Sequence, residues 1–263
     1  WGLAQASQLS NKRLILVELS GANDGLNTLV PFGDKDYYQL RPNISLERKE
    51  ILTLNDWQGF HDKLQPLMNS WESGDLAVVQ GLGYPGQNRS HFKSIALWET
   101  GGDGKRAGRT GWLTDDILSI DQTEFDAHGI SLDGGMGVFS TNDGTWISLT
   151  SLSQLRTLAN TTSTFEFAGS NGGNEALGLL LDRANSLDTA MSRISKKMTK
   201  ANKNNRFRIR GGKLGKQLGI ALELIANEID TPVLKVQING FDTHEQQRGT
   251  HERLLENLGQ ALA

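Results

Sequence analysis

The sequence predicts an α/β domain with a mostly parallel sheet, and two observations lead to this fold class. Short, nearly unbroken apolar runs occur at 14–19 (LILVEL), 76–80 (LAVVQ) and 233–238 (VLKVQI), which is typical of strands buried on both faces of a sheet. Segments with apolar residues at helical spacing lie between these runs. Alternation of helices with buried strands is the pattern of α/β proteins.

The first half of the chain contains two of the predicted strands. The strand at 14–19 is followed by the loop GANDGLN. A helix is expected to begin at Asn55 or Asp56 and to end at Gly74, because apolar residues recur at helical spacing. These residues are Phe60, Leu64, Leu67, Met68 and Trp71. The strand at 76–80 then leads into a glycine-rich loop and a helix over 90–99.

The second half contains the third strand and most of the predicted helices. Residues 101–145 are rich in glycine and aspartate and are expected to form loops with short strands. Helices are predicted over 175–205 and 214–228, and Pro232 introduces the strand at 233–238. The last segment, HERLLENLGQALA, has an amphipathic helical pattern without an end signal, so we expect the domain to be incomplete at its carboxyl end.

Composition excludes several classes of protein and of site. The 263 residues contain no cysteine, which excludes disulfides, thiolate metal sites and cysteine nucleophiles. A formal net charge of −3 argues against a nucleic-acid-binding protein. No run of eighteen apolar residues occurs, so no transmembrane helix is predicted.

The glycines at 81, 83 and 86 match the G-x-G-x-x-G pattern of dinucleotide-binding loops. In dinucleotide-binding proteins these glycines lie at the start of a helix, and a second strand follows within roughly 30 residues. Here the helix is expected to start near Ser90, and the segment GGDGKRAGRTG occupies the place of the second strand. The glycines are therefore interpreted as a tight bend that delivers Ser90 to the ligand edge of the sheet.

Polar residues follow each of the three predicted strands. They are Asn23-Asp24-Gly25, Arg89-Ser90-His91 and Asp242-Thr243-His244. Ligands of open α/β sheets bind beyond the carboxyl ends of the strands, so these loops are expected to converge on one site. Each loop also has a purely structural interpretation: a turn for the first, a helix N-cap at Ser90 for the second and a hydrogen-bonded loop for the third.

Together these residues suit metal-assisted displacement at phosphorus or sulfur. The carboxylates of Asp24 and Asp242 and the imidazole of His244 are ligands for a divalent ion such as Zn²⁺, Mg²⁺, Mn²⁺ or Ca²⁺. Ser90 would act as the nucleophile, and Arg89 would pair with the oxygens of an anionic ester. His91 is a further polar neighbour of this serine.

Four segments resemble the bacterial domain-of-unknown-function family 1501, which is grouped with the alkaline phosphatase and sulfatase superfamily. They are GANDGLNTLVPFGDKDYYQLRPNISL, LQPLMNSWESGDLAVVQGLGYPGQNRSHFKS, GWLTDDI and VQINGFDTHEQQ, in family order over most of the chain. The resemblance implies a doubly wound, alkaline phosphatase-like fold with helices on both faces. It also implies twin-arginine export and a periplasmic or secreted location.

On this resemblance the whole range 1–263 is one α/β domain, with a loop-rich and helical insertion at 101–210. Asp24 with Gly25 looks like the first metal-binding aspartate of the superfamily, and Asp242 with His244 looks like a later metal-ligand pair. Ser90 falls near the nucleophile segment.

The sequence also departs from the superfamily patterns. The segment from Asn88 to Phe92 lacks the proline of the sulfatase motif, and it reads Arg-Ser-His where phosphatases have Asp-Ser-Ala. The Glu-Phe-Gly-Arg and Gly-Thr-Asp-His-Gly segments of the family are not in this sequence.

Two functions follow from these observations. The first is an exported metal-dependent hydrolase of phosphate or sulfate esters, whose substrate is a small anionic ester or a sulfated or phosphorylated glycan. The alternative is a non-catalytic member of the same fold that binds a partner protein or an anionic glycan. Ten Lys and Arg residues between Arg193 and Lys216 are either a solvated helix and linker or a surface that attracts anions.

Overall fold

The computed structural model describes residues 12–120, 125–141, 143–154, 175–200 and 207–263. The strands are β1 (Leu14–Ser20), β2 (Leu29–Val30), β3 (Ile51–Thr53), β4 (Gly59–His61), β5 (Gly129–Ser131), β6 (Trp146–Ser148) and β7 (Val233–Asn239). The helices are α1 (Lys35–Leu40), α2 (Met68–Glu72), α3 (His91–Glu99), α4 (Trp112–Leu118), α5 (Glu175–Lys200), α6 (Gly212–Ala226) and α7 (Gln247–Leu262).

The main sheet has four parallel strands in the order β1-β7-β5-β6 and is flanked by helices, so the chain is an α/β protein. Its register places Ile130 of β5 beside Ile147 of β6 and Leu234 of β7. These three side chains are fully buried or nearly so. The strands predicted at 14–19 and 233–238 are confirmed as β1 and β7.

The chain divides into two compact units. The first comprises the described residues among 1–16, 84–207 and 219–236. Its hydrophobic cluster joins α4 and the turn at 137–139 to β7 and contains Leu113, Ile117, Val138, Phe139 and Val233. The helix α4 lies in a segment for which loops and short strands were expected.

The second unit comprises residues 17–83, 208–218 and 237–263. It contains a small antiparallel sheet in the order β2-β4-β3. A buried cluster of Val30, Tyr37, Leu46 and Ile51 packs beside this sheet. Helix α7 approaches the 3₁₀ turn at 62–67 through Gly259, where an added Cβ would lie 3.0 Å from the Lys63 carbonyl oxygen.

The predicted helices at 90–99, 214–228 and the end of the chain are confirmed as α3, α6 and α7, within two to four residues at their ends. The helix predicted over 175–205 corresponds to α5, and the residues after Lys200 in that prediction lie outside the described residues. Among the described helices, none combines the length and the apolar character needed to span a bilayer.

The strand predicted at 76–80 is wrong. The segment has no regular secondary structure, and Val78 and Val79 are exposed. Apolar, β-branched residues favour a strand only when a neighbouring strand pairs with their backbone groups. In the described part of the sheet the strand next to β7 is instead β5, whose three residues contain a single large apolar side chain.

The helix predicted from Asn55 is wrong in its first half. The side-chain oxygen of Asn55 accepts hydrogen bonds from the backbone N–H groups of Trp57, at 2.9 Å, and Gln58, at 3.0 Å. This arrangement closes the hairpin between β3 and β4, since short polar side chains often bond to nearby backbone in turns. The α-helical part begins only at Met68, and Gly74, with φ of +79°, follows its end as predicted.

Candidate functional site

The clearest candidate for a metal-binding group is the pair Asp242 and His244, which follows the carboxyl end of β7 in the second unit. Asp242 Oδ1 lies 2.8 Å from His244 Nε2, and the two side chains are 44% and 78% exposed. A hydrogen bond from the Thr243 N–H to the Phe241 carbonyl oxygen, 2.9 Å long, tightens the loop, and the buried Phe241 ring anchors it. The i, i+2 spacing therefore brings a carboxylate and an imidazole together at an exposed strand end.

The end of β1 lies beside this loop. Gly21 has φ of +103°, and an added Cβ there would lie 2.6 Å from the backbone nitrogen of Asp242. Only glycine tolerates both this backbone conformation and this close approach. The Phe241 N–H also donates to the Ser20 carbonyl oxygen at 3.2 Å. Gly21 therefore allows the loops that follow β1 and β7 to lie side by side.

Asp24, the other predicted ligand, already has several partners in the second unit. Its Oδ2 accepts hydrogen bonds from Arg41 and from Gln247, and the Arg41 contact is also an ion pair. Its Oδ1 accepts the Asn27 N–H at 3.3 Å, which caps the 3₁₀ turn that follows. A metal ion bound by this carboxylate would share it with these partners, with Oδ1 the less occupied of its two oxygens.

His251 is a buried member of the same region that sequence analysis did not select. Its Nε2 lies 2.9 Å from Asn23 Oδ1, and since an amide oxygen only accepts, the imidazole donates. Burial lowers the pKa of His251 to about 4; Asp24 opposes this shift, while His61 and Arg41 add to it. The ring is therefore neutral at pH 7 and serves as a buried hydrogen-bond donor.

Acidification is expected to destabilise the fold through His251. Its pKa in the unfolded chain is about 6.5, so its contribution is complete above that pH and is lost as the pH falls from about 6.5 to 4. From the difference in pKa, the loss amounts to about 2–3 kcal/mol. Urea unfolding at pH 7.5 and 4.5 would measure it. His251→Gln should reduce the loss, and an unchanged loss in this variant would contradict this assignment.

Arg89, Ser90 and His91 belong to the first unit, whereas Asp24, Asp242 and His244 belong to the second. Ser90 is the N-cap of α3: its Oγ accepts the Lys93 N–H at 3.5 Å, and its own N–H donates to Asn88 Oδ1 at 2.7 Å. Arg89 and Ser90 are exposed, and His91 is partly buried. The hydroxyl thus lies at the amino end of a nine-residue helix, where unpaired N–H groups favour anions.

Tyr84 holds the loop before Ser90 in place. Its hydroxyl accepts the Asn88 N–H at 3.0 Å and lies 2.8 Å from Ser94 Oγ. These hydrogen bonds, that of Ser94 first, lower the pKa of Tyr84. The loop that presents Ser90 is therefore tied to the first turn of α3 by its own residues.

A cavity of about 690 Å³ lies at the amino end of α7 in the second unit. Its lining consists of Asn43, Ile44, Gln246, Gln247, Arg248, Gly249, Thr250 and Arg253. Arg248 is paired with Glu50 and Glu252, and Arg253 is exposed. Because Gln247 also bonds to Asp24, the cavity adjoins the Asp24 network and gives it a positively charged border.

Sequence analysis missed Arg41, Gln247 and His251. Arg41 and Gln247 lie in ordinary polar surroundings, so no local pattern distinguishes them. Only the burial of His251 could have been predicted, because it lies three and four residues before Leu254 and Leu255, on the buried face of α7. No protein-family model, no curated protein and no solved structure matches this chain.

Proposed function

We propose that the protein is an exported, metal-dependent hydrolase of phosphate or sulfate esters with a doubly wound, alkaline phosphatase-like fold that acts in the periplasm or outside the cell. One observation carries the proposal: the exposed Asp242–His244 pair at the carboxyl end of a parallel strand. Ligands of α/β sheets bind at such ends, and carboxylate with imidazole is a donor set for divalent cations.

The geometry of this pair is compatible with one shared ion. Zinc binds carboxylate oxygen and imidazole nitrogen at about 2.0–2.2 Å, so two ligands of a tetrahedral ion lie roughly 3.3 Å apart. The observed 2.8 Å between Asp242 Oδ1 and His244 Nε2 requires only a small widening. A bound ion would supply Lewis-acid stabilisation of the ester oxygens.

In this proposal Ser90 is the nucleophile and Arg89 binds the ester. The Ser90 oxygen forms a bond to phosphorus or sulfur, the bond to the leaving alcohol breaks, and water later releases the acid from the serine. His91 takes the hydroxyl proton, Arg89 pairs with the anionic oxygens, and the first N–H groups of α3 add to their binding. The exposed position of Ser90 at a helix N-cap supports this role.

A non-catalytic binding protein of the same fold is the second candidate. It is favoured by the existing partners of the predicted catalytic groups: Asp24 is paired with Arg41 and Gln247, and Ser90 caps α3. Both arrangements have a structural purpose that requires no catalysis. In this case the ligand would be a partner protein or an anionic glycan.

Turnover of an aryl phosphate and an aryl sulfate, with Zn²⁺, Mg²⁺, Mn²⁺ or Ca²⁺ added singly, distinguishes the two functions. We expect hydrolysis with at least one ion and a loss of roughly a hundredfold or more in Ser90→Ala. Ser90→Asn is the matched variant, because asparagine keeps the N-cap and removes the nucleophile. It should lose activity equally and retain more stability. Full activity in Ser90→Asn would contradict the role of Ser90 as nucleophile, and no turnover with any of the four ions would contradict the hydrolase.

A further inference from the structure

A groove runs along the exposed side of α5 in the first unit. Its first part is a cavity of about 370 Å³ lined by Phe125, His128, Thr145, Asn185, Ser186, Thr189 and Arg193. A second cavity of about 380 Å³ shares Thr145 and Ser186 with it, so the two lie side by side. None of these residues belongs to the proposed hydrolase site.

One wall of the first cavity is a pair of flat rings. The rings of Phe125 and His128 are in edge contact, with centroids 5.8 Å apart. His128 Nδ1 accepts the Thr145 N–H at 2.9 Å, which fixes the orientation of the imidazole. Burial lowers the pKa of His128, so this wall is uncharged at neutral pH.

The rest of this lining is polar and carries one positive charge. Arg193 is the one charged residue in this lining, and no ion pair of Arg193 is found among the described residues. The hydroxyls of Ser186 and Thr189 donate to carbonyl oxygens of their own helix, which leaves their oxygens as acceptors. Asn185 adds an amide that can both donate and accept.

The second cavity has a net negative lining, with two aspartates and one arginine. Its lining includes Arg183, which lies 3.7 Å from Asp143, and also Asp182. Trp146 provides an aromatic surface there, held by a 2.6 Å hydrogen bond from its Nε1 to the Asp143 carbonyl oxygen. An anion is therefore favoured in the first cavity and disfavoured in the second.

We propose that this groove binds an acidic oligosaccharide, with the carboxylate or sulfate of one sugar on Arg193 and a neutral sugar beside Trp146. Flat rings accept the apolar faces of sugars, hydroxyl and amide groups bond to sugar hydroxyls, and a guanidinium pairs bidentately with carboxylate or sulfate. The length also fits: at 1.5 Å rise per residue, Arg183 and Arg193 are roughly 15 Å apart along α5, room for more than one sugar.

Calorimetric titration tests this with three probes: an oligogalacturonate tetrasaccharide, a heparin-derived tetrasaccharide and neutral maltotetraose. We expect binding of at least one acidic probe and none of maltotetraose; which acidic probe binds distinguishes carboxylate from sulfate. Binding of maltotetraose at the same affinity, or of none of the three, would overturn the proposal.

Two variants distinguish binding in the groove from general electrostatic attraction by the basic residues at 193–216. Arg193→Gln should weaken binding roughly tenfold or more, because it removes a charge-assisted hydrogen bond. Lys196→Gln removes the same charge from an exposed position of α5 outside the groove lining and should change binding less than about twofold. Equal weakening in both variants would show diffuse electrostatic attraction and would overturn the proposal.

Discussion

Replacement of Lys235 by methionine is expected to lower the free energy of unfolding by about 3–5 kcal/mol. Lys235 Nζ donates to Asp133 Oδ2 at 2.6 Å, and the two side chains are 2% and 0% exposed. Asp133 Oδ1 also accepts hydrogen bonds from Ser131 Oγ and the Gly135 N–H, both at 2.7 Å. Removing the lysine leaves a buried carboxylate with two neutral donors and no counter-charge. Such an uncompensated buried charge is strongly destabilising.

Urea unfolding of two further variants checks this explanation. Lys235→Met combined with Asp133→Asn removes both charges and should recover much of the lost stability. Replacing Lys49 by methionine breaks the exposed Lys49–Glu47 pair, whose side chains are 76% and 65% exposed, and should leave stability almost unchanged. If Lys235→Met alone lowered stability as little as Lys49→Met, the buried pair would not have the role assigned to it.

Gly111→Ala is the second substitution with a large expected effect, about 3 kcal/mol or more of lost stability. A Cβ at Gly111 would overlap the backbone carbonyl of Val138, next to Phe139, and both residues are fully buried. The Gly111 N–H also donates to the Ser140 carbonyl oxygen at 2.6 Å, so the two segments cannot separate without losing this bond. With φ of −64° at Gly111, the effect is steric and owes nothing to backbone strain.

Gly249→Ala is the matched control. It lies in α7, and an added Cβ there has no atom within 4 Å. Because alanine favours helix over glycine, we expect unchanged or slightly greater stability, by up to about 1 kcal/mol. Equal thermal midpoints for Gly111→Ala and Gly249→Ala would contradict the close packing at Val138.

The elements that sequence analysis predicted well carry their own local signals. The apolar runs of β1 and β7 and the amphipathic pattern of α7 are visible without tertiary information. Short strands were expected within 101–145, where β5 lies, but neither β5 nor β6 was located individually. Each has three residues and a single aliphatic side chain, so their place in the sheet depends on pairing with β7 and with each other. The run at 76–80 was wrongly predicted as a strand. Its residues have high strand propensity, but no neighbouring strand among the described residues pairs with their backbone groups.

In the candidate site, too, some features follow from the local sequence and others depend on the folded structure. The proximity of Asp242 and His244 follows from their spacing of two residues, and the N-cap at Ser90 follows from a serine before an apolar helix. The network around Asp24 joins residues up to 223 positions apart in sequence, so no local pattern could reveal it. Sequence alone therefore suggested which residues have suitable chemistry, whereas the partners of Asp24 required the folded structure.

Titration of Zn²⁺ into the chelator-treated protein tests most directly whether Asp242 and His244 hold a divalent cation. We expect saturable binding that weakens roughly a hundredfold in Asp242→Asn and in His244→Gln. Glu245→Gln, which removes one exposed acid next to the pair, should leave the affinity unchanged. Binding that survives both ligand substitutions, or no binding by the original protein, would contradict the proposed metal site.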